Sequence, residues 1–211
     1  MTNPTRLWIA SNNAKKRREL ERLFAPLQIA LHTPDELDVA FDPTEDQPDF
    51  AGNATIKARA LAEIVGEVTI ADDSGLSVDA LDGRPGVLSA RYGGPGLDDR
   101  GRLERLLEEM RGVPAAERSA HFTCCICLCG PDGTTRLLVE ERCEGTLLTE
   151  PRGEHGFGYD PVFVANACLD EQPVPSFAEL NADRKDQISH RGKALRALIE
   201  KVQANPSLLT S

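Results

Sequence analysis

Apolar positions along the chain fall into short runs and helix-spaced stripes, punctuated by glycine, proline and Asx residues. Leu7-Trp8-Ile9-Ala10 is an apolar run followed by the cap-like cluster Ser11-Asn12-Asn13. It reads as a strand leading into a helix that begins near Ala14, with Leu20, Leu23 and Phe24 inward. Residues 29–32 predict a second strand, and the acidic, proline-punctuated segment 35–49 a loop. Ala54, Ala58, Leu61 and Val65 recur at helical spacing over Phe50–Val65, between a candidate cap Asp49 and a stop at Gly66. Val68-Thr69-Ile70-Ala71 predicts a buried strand. Asp72-Asp73-Ser74-Gly75 then reads as a sharp loop, and the alternation from Leu76 to Leu81 as another strand. Turns are expected at residues 83–87 and 93–96. Residues 98–111 form an amphipathic stripe with Leu103, Leu106, Leu107 and Met110 inward. Ser119–Cys129 and residues 135–143 read as long strands joined by the hairpin Gly130-Pro131-Asp132-Gly133. Residues 161–164 suggest a short strand, and Ser176-x-x-Glu179 a capping box opening a short helix. Ser189 caps the last helix, whose inward face is Ala194, Leu195, Leu198, Ile199 and Val202.

This pattern is that of one globular chain of 211 residues, long enough for a sizeable core. No apolar run approaches the length of a membrane-spanning helix. The first six residues lack the apolar core of a signal peptide, so a cytoplasmic location is expected. The net charge of −10 argues against a broad nucleic-acid or anionic-membrane surface, though not against a small anion bound locally. Of six cysteines, four crowd one strand. There Cys125, Cys127 and Cys129 face one way and Cys124 the other. Cys124 and Cys127 have C-x-x-C spacing, but no second pair lies at zinc distance, so these read as reduced core residues.

Two stretches carry candidate chemistry. Asp72 and Asp73 are adjacent carboxylates that would repel each other, at a cost that burial raises. A hard cation such as Mg²⁺ would relieve it, because carboxylate oxygens are its usual ligands; a solvated Asp-Asp turn is the plain alternative. The first helix opens with Lys15, Lys16, Arg17 and Arg18, the unfavourable sign for its dipole. A strand–loop–helix junction with lysines suits a phosphate, the alternative being an ordinary basic face. No Gly-x-x-x-x-Gly-Lys-Ser/Thr loop is present. The segment 151–160 is glycine-rich and holds Phe157 and Tyr159, either of which could cover a flat ring.

Six motifs in order over nearly the whole chain resemble one family, the inosine/xanthosine triphosphate pyrophosphatases, or Ham1-like proteins. They are Ser11-Asn12-Asn13-Ala14-Lys15-Lys16; Asn53-Ala54 with Lys57-Ala58; Ala71-Asp72-Asp73-Ser74-Gly75-Leu76; Pro85-Gly86-Val87 with Ser89-Ala90-Arg91-Tyr92; Phe157-Gly158-Tyr159-Asp160-Pro161; and Lys185 followed by Ser189-His190-Arg191-Gly192-Lys193-Ala194-Leu195. The resemblance implies an α/β fold with a long mixed β-sheet flanked by helices, as a single two-lobed domain with the active cleft between the lobes. It implies a homodimer that hydrolyses dITP, ITP or XTP to the monophosphate and pyrophosphate with Mg²⁺. By position, Ser11, Asn12, Asn13, Ala14, Lys15, Lys16 and Ser74 would bind phosphate and sugar. Asp73 would be the general base and a metal ligand. Glu45 falls where the family places a metal-binding glutamate, with neighbouring Asp46 an alternative and Asp72 a possible further ligand. Phe157, Gly158, Tyr159, Asp160, Lys185, His190 and Arg191 would hold the base and neighbouring groups. Gly52 departs from the pattern, standing where members usually carry Glu. A nucleotide-binding sensor without turnover is the competing reading, and it would have no need of the carboxylate pair.

Overall fold

A computed structural model of the protein describes residues 6–25 and 29–210; residues 1–5, part of the N-terminal stretch in which no signal-peptide core was expected, lie outside them. The strands and helices are β1 (Arg6–Ile9), α1 (Ala14–Phe24), β2 (Ala30–His32), α2 (Phe50–Val65), β3 (Thr69–Val78), α3 (Asp99–Glu109), β4 (Ser119–Cys129), β5 (Thr135–Leu147), β6 (Phe163–Ala165), α4 (Ala182–Ile188) and α5 (His190–Ala204). The six strands form one sheet in the order β2-β1-β3-β4-β5-β6. β1 runs parallel to β2 and β3, while β5 and β6 are antiparallel, so the sheet is mixed, as expected. Between β4 and β5 the Gly130 N–H donates to Thr134 O at 2.9 Å, and the Gly133 N–H to Gly130 O at 2.9 Å. So short a link permits only a hairpin.

The chain divides into two compact units. The first comprises Met1–Asp73, Cys124–Glu140 and Ala194–Ser211, and the second Ser74–Thr123 and Glu141–Lys193. In the first unit, strand alternation sends side chains to two separate cores. Leu7, Ile9, Ile70, Cys124, Ile126 and Leu128 pack with Leu20 and Phe24 of α1 and with Ala194, Leu195 and Leu198 of α5. Trp8, Ala10, Ala71, Cys127 and Cys129 pack instead with Ala54, Ala58, Leu61 and Ala62 of α2. In the second unit, Leu76 and Val78 of β3 pack with Leu103, Leu106 and Met110 of α3, with Phe122, Leu147 and Phe163, and with Phe177.

Helix ends follow local chemistry. The Asn13 side chain accepts from the Lys15 and Lys16 N–H groups, Asp49 from Gly52 N–H, and Asp98 from Gly101 N–H. Each such cap contributes about 1 kcal/mol. Gly66 ends α2 at φ 64°, in the left-handed region open to glycine at little cost. Ser189 Oγ accepts from Gly192 N–H at 3.1 Å at the start of α5, as its sequence position suggests.

Two local expectations are corrected, and one helix was not anticipated. Asp72-Asp73-Ser74-Gly75 is not a loop between two strands: β3 runs unbroken through it. Successive strand side chains point to opposite faces, so the strand itself separates the two carboxylates. Residues 160–162 form a 3₁₀ turn rather than strand, and β6 begins only at Phe163. The helix α4, capped by Asn181, had no apolar stripe long enough to announce it.

Candidate functional site

The first cluster follows from the alternation along β3. Asp72 faces the side covered by α1, and Asp73 the side covered by α2. Each meets one lysine. Lys16 Nζ lies 3.3 Å from Asp72 Oδ2, and Lys57 Nζ 3.1 Å from Asp73 Oδ1. Both carboxylates are buried, at 1% and 6% exposure. Lys57 Nζ also lies 3.0 Å from Glu45 Oε2, so one ammonium holds two carboxylates together. Glu45 rather than Asp46 turns to this cluster. Asp46 is exposed, and its Oδ1 accepts from the Gln47 side-chain amide at 2.8 Å.

The loop carrying Glu45 is anchored by Asn53, which is fully buried on α2. Asn53 Oδ1 accepts from Gln47 N–H at 3.0 Å, and its Nδ2 donates to Gln47 O at 3.4 Å. This packing accounts for Gly52. A Cβ there would lie 2.6 Å from Gln47 Cβ and 2.8 Å from Gln47 Cγ. With Gln47 in that place, a glutamate side chain at position 52 has no room.

Burial pushes the Asp73 carboxyl above its ordinary pKa, while Lys57 and Lys16 pull it partly back and Glu45 adds to the rise. Burial opposes the charge on Lys57, but Asp73, Asp72 and Glu45 together outweigh it and raise the lysine's pKa. Lys57 therefore stays charged at neutral pH, and Asp73 is a stronger base than an ordinary aspartate. Asp73 Oδ2 is buried with no hydrogen-bond partner among the described residues. A buried carboxylate oxygen left over beside a second carboxylate fits a hard cation. No group of three or more His, Cys, Asp or Glu side chains gathers as a cage among the described residues. Mg²⁺ often takes only one or two carboxylates and fills its shell with phosphate oxygens and water, so Glu45 and Asp73 suffice as a donor set.

At the start of α1 the expected phosphate site has a different character from the one read in sequence. The N–H groups of Lys15 and Lys16 are taken by Asn13 Oδ1, at 3.0 and 3.2 Å. The Asn12 side-chain amide donates to Phe41 O, and Ser11 Oγ accepts from Asn13 N–H at 3.3 Å. What this corner offers a phosphate is side-chain charge, from exposed Lys15 and from Lys16, with Ala14 opening the helix between them and Asn13.

The second cluster gathers Ser74, Phe157, Asp160, Lys185 and Arg191 within the second unit. Arg191 Nη2 donates to Ser74 Oγ at 2.8 Å, and its guanidinium carbon lies 5.8 Å from the centre of the Phe157 ring. Lys185 Nζ lies 5.0 Å from that ring centre and 2.7 Å from Asp160 Oδ2. The same Asp160 oxygen accepts from Phe157 N–H at 2.8 Å, and Gly158 N–H donates to Asp99 Oδ2 at 3.3 Å. The C-terminal end of the loop is thus pinned, with Phe157 flanked by two cations. His190 stacks on Phe122, rings 4.7 Å apart and 9° from parallel. Tyr159 differs from the expectation of a ring cover. It is buried in the core, and its hydroxyl donates to Ser89 O at 2.9 Å. Of the two aromatics, Phe157 is half-buried and Tyr159 buried.

Lys57 is the residue that sequence reasoning left without a role. Its signal was present: Asn53, Ala54, Lys57, Ala58 and Leu61 share one helical stripe, so a lysine stood among inward positions. Buried lysines are rarely unpaired.

The comparisons with known proteins bear on the same segments. The family model described as the Ham1 family matches residues 7–201. The chain is 46% identical over 200 residues to a protein of Corynebacterium glutamicum named dITP/XTP pyrophosphatase, over 93% of this chain and 96% of the relative. A protein of the same name from Thermosynechococcus vestitus is 45% identical over 203 residues, covering 94% and 96%. A solved HAM1 protein from Coxiella burnetii matches with a TM-score of 0.83 at 36% identity, covering 94% of this chain and 98% of that one. The Staphylococcus aureus Ham1 protein gives 0.81 at 35% identity, with the same coverage. From its β1 strand to its final helix, the chain belongs to the Ham1 family.

Proposed function

We propose that this protein is a nucleoside triphosphate pyrophosphohydrolase. It converts dITP, XTP and ITP to the nucleoside monophosphate and pyrophosphate, with Mg²⁺ as cofactor. The relatives named dITP/XTP pyrophosphatase support the substrate class. The observation that carries the chemistry is Asp73: buried, raised in pKa, one oxygen held by Lys57 and the other without a partner among the described residues.

Asp73 Oδ2 accepts the proton of a water that attacks the α-phosphorus. Lys57 fixes the carboxylate through Oδ1 and holds Glu45 beside it. A Mg²⁺ on Glu45 and Asp73 would polarise phosphate oxygens and neutralise charge on the departing pyrophosphate. Lys15 and Lys16 meet the outer phosphates, and Lys16 keeps Asp72 neutralised until they arrive. No covalent nucleophile is required, since phosphoryl chemistry rests on positioning and charge.

Phe157 offers its face to the purine. Lys185, Arg191 and His190 supply donors, which suit a base with an oxygen at position 6 and oppose adenine, whose amino group there is itself a donor. The protein works as a homodimer in the cytoplasm on a free nucleotide rather than on nucleic acid or a membrane; no described helix is long and apolar enough to cross a membrane.

The test is incubation of the purified protein with dITP, XTP or dATP and Mg²⁺, assaying pyrophosphate and orthophosphate separately. Pyrophosphate from dITP and XTP, with little from dATP, is the expected result. Nucleotide binding without any product would favour the sensor reading instead.

A further inference from the structure

The cysteines on β4 play no part in this chemistry, yet two of them are placed to react with each other. Cys127 and Cys129 point to the same side of the strand, with Sγ atoms 3.6 Å apart. Both are fully buried, which ordinarily makes a thiol inert. They face α2, packed with Ala54, Ala58, Leu61 and Ala62, and only their edge nearest the hairpin is bordered by β5. Thr135 Oγ1 lies 3.9 Å from Cys127 Sγ and 4.0 Å from Cys129 Sγ, and Thr135 is itself exposed. It is the first residue of β5, next to the hairpin turn, and Cys129 is the last of β4. Strand ends beside a turn open at the lowest free-energy cost. Opening there would expose the Thr135 side of the pair to a small solute while α2 keeps the other side covered.

The surroundings also favour thiolate at one of them. The hydrogen bond shared with Cys129, further hydrogen bonds from Thr55 and Thr135, and the charge of Arg59 lower the Cys127 thiol's pKa against the opposing effect of burial. Geometry permits closure. Residues two apart in a strand have Cα atoms roughly 6.7 Å apart, at the upper edge of the range a disulfide spans. A bond formed there is strained, and a strained disulfide is readily reduced.

We propose that Cys127 and Cys129 form a reversible oxidation site for hydroperoxides, closing to an intrachain disulfide. The Cys127 thiolate attacks the peroxide oxygen, the O–O bond breaks, and Cys127 becomes a sulfenic acid with release of one water. Cys129 then gives up its proton and attacks Cys127 Sγ. The sulfenic hydroxyl leaves with that proton as a second water, and the S–S bond forms. Two thiols are oxidised by two electrons, and one hydrogen peroxide is reduced to two waters.

The experiment treats the full-length protein with a small excess of hydrogen peroxide, quenches with an alkylating agent, and maps tryptic peptides by tandem mass spectrometry. The expected product is a loss of two hydrogens in the peptide from Ser119 to Arg136, fragmenting so that Cys127 and Cys129 are linked while Cys124 and Cys125 are alkylated. Dithiothreitol should restore four alkylated thiols in that peptide. In Cys129→Ala the linkage should vanish and Cys127 should collect as sulfenic or sulfinic acid. Linkage at any other pair, thiols unchanged under conditions that oxidise an exposed control thiol, or two hydrogens still lost in Cys129→Ala would each overturn the proposal. Because the readout is mass, its outcome is independent of whether the protein hydrolyses dITP.

Discussion

Replacing Lys57 with methionine tests the electrostatic core of the site. Methionine keeps the unbranched stem but removes the ammonium that lies 3.0 Å from Glu45 and 3.1 Å from Asp73. Breaking a buried pair from one side leaves uncompensated charge and costs roughly 3–5 kcal/mol. The Glu45 side chain is 34% exposed, so water recovers part of that loss and the low end, about 3 kcal/mol, applies. At roughly 2–4 °C per kcal/mol for a chain of this size, Tm should fall by roughly 6–12 °C at neutral pH. The pH dependence has a definite sign. Burial already raises Asp73, and losing Lys57 removes the largest influence opposing that rise. A carboxyl with a raised folded pKa contributes its stability below the unfolded value of about 3.9 and loses it as pH rises through the folded value. Lys57, also raised, contributes below its unfolded value of about 10.4 and loses that only as pH rises through its folded value. The deficit of the variant should therefore be smallest near pH 4, open as Asp73 ionises, and persist through neutral pH. Urea titrations of both proteins between pH 4 and 8 measure it. A loss under about 1 kcal/mol that is flat with pH would show that Lys57 does not neutralise buried carboxylates.

Three other substitutions probe separate parts of the account. Gly52→Ala in a helix would ordinarily gain stability of roughly 0.5–1 kcal/mol; here the Cβ meets Gln47, so a loss is expected in urea titration, and Gln47→Gly in the same chain should reverse it. Lys16→Ala should weaken triphosphate binding more than monophosphate binding by calorimetry, and equal losses would remove Lys16 from the outer phosphates. Arg191→Ala should shrink the ratio of kcat/KM for ITP over ATP, by roughly 5- to 150-fold if one matched polar pair worth about 1–3 kcal/mol is lost. An unchanged ratio would refute base reading by Arg191.

Much of this architecture is legible in the chain because burial writes a period into it. The alternation of Leu7, Trp8, Ile9 and Ala10 fixes which side chains face which helix, and the caps Asn13, Asp49 and Ser189 sit where polar residues precede apolar stripes. Asp73 stood out because charge at the end of an apolar run demands a partner. The partner did not stand out in the same way, since Lys57 lies in a helix whose alanine stripe looks complete without it. β3 was misread for a related reason. Asp-Asp-Ser-Gly has the composition of a turn, and only the lysines on the two faces of β3 explain how it stays extended. The difference between Phe157 and Tyr159 was likewise invisible: both are aromatics in one glycine-rich loop, and what separates them is a carbonyl of Ser89, far away in sequence, that claims the tyrosine hydroxyl.

The central claim is that water, activated at Asp73, attacks the α-phosphorus of an oxo-purine triphosphate. Hydrolysis of dITP in water enriched in oxygen-18, followed by mass analysis of both products, tests it most directly when run beside the Asp73→Asn variant. Attack at the α-phosphorus should leave one labelled oxygen in the monophosphate and none in pyrophosphate, with a rate at least ~10²-fold lower in the variant, which would lose both a base and a metal ligand. Label in pyrophosphate or in orthophosphate, or near-normal turnover by Asp73→Asn at saturating Mg²⁺, would contradict it.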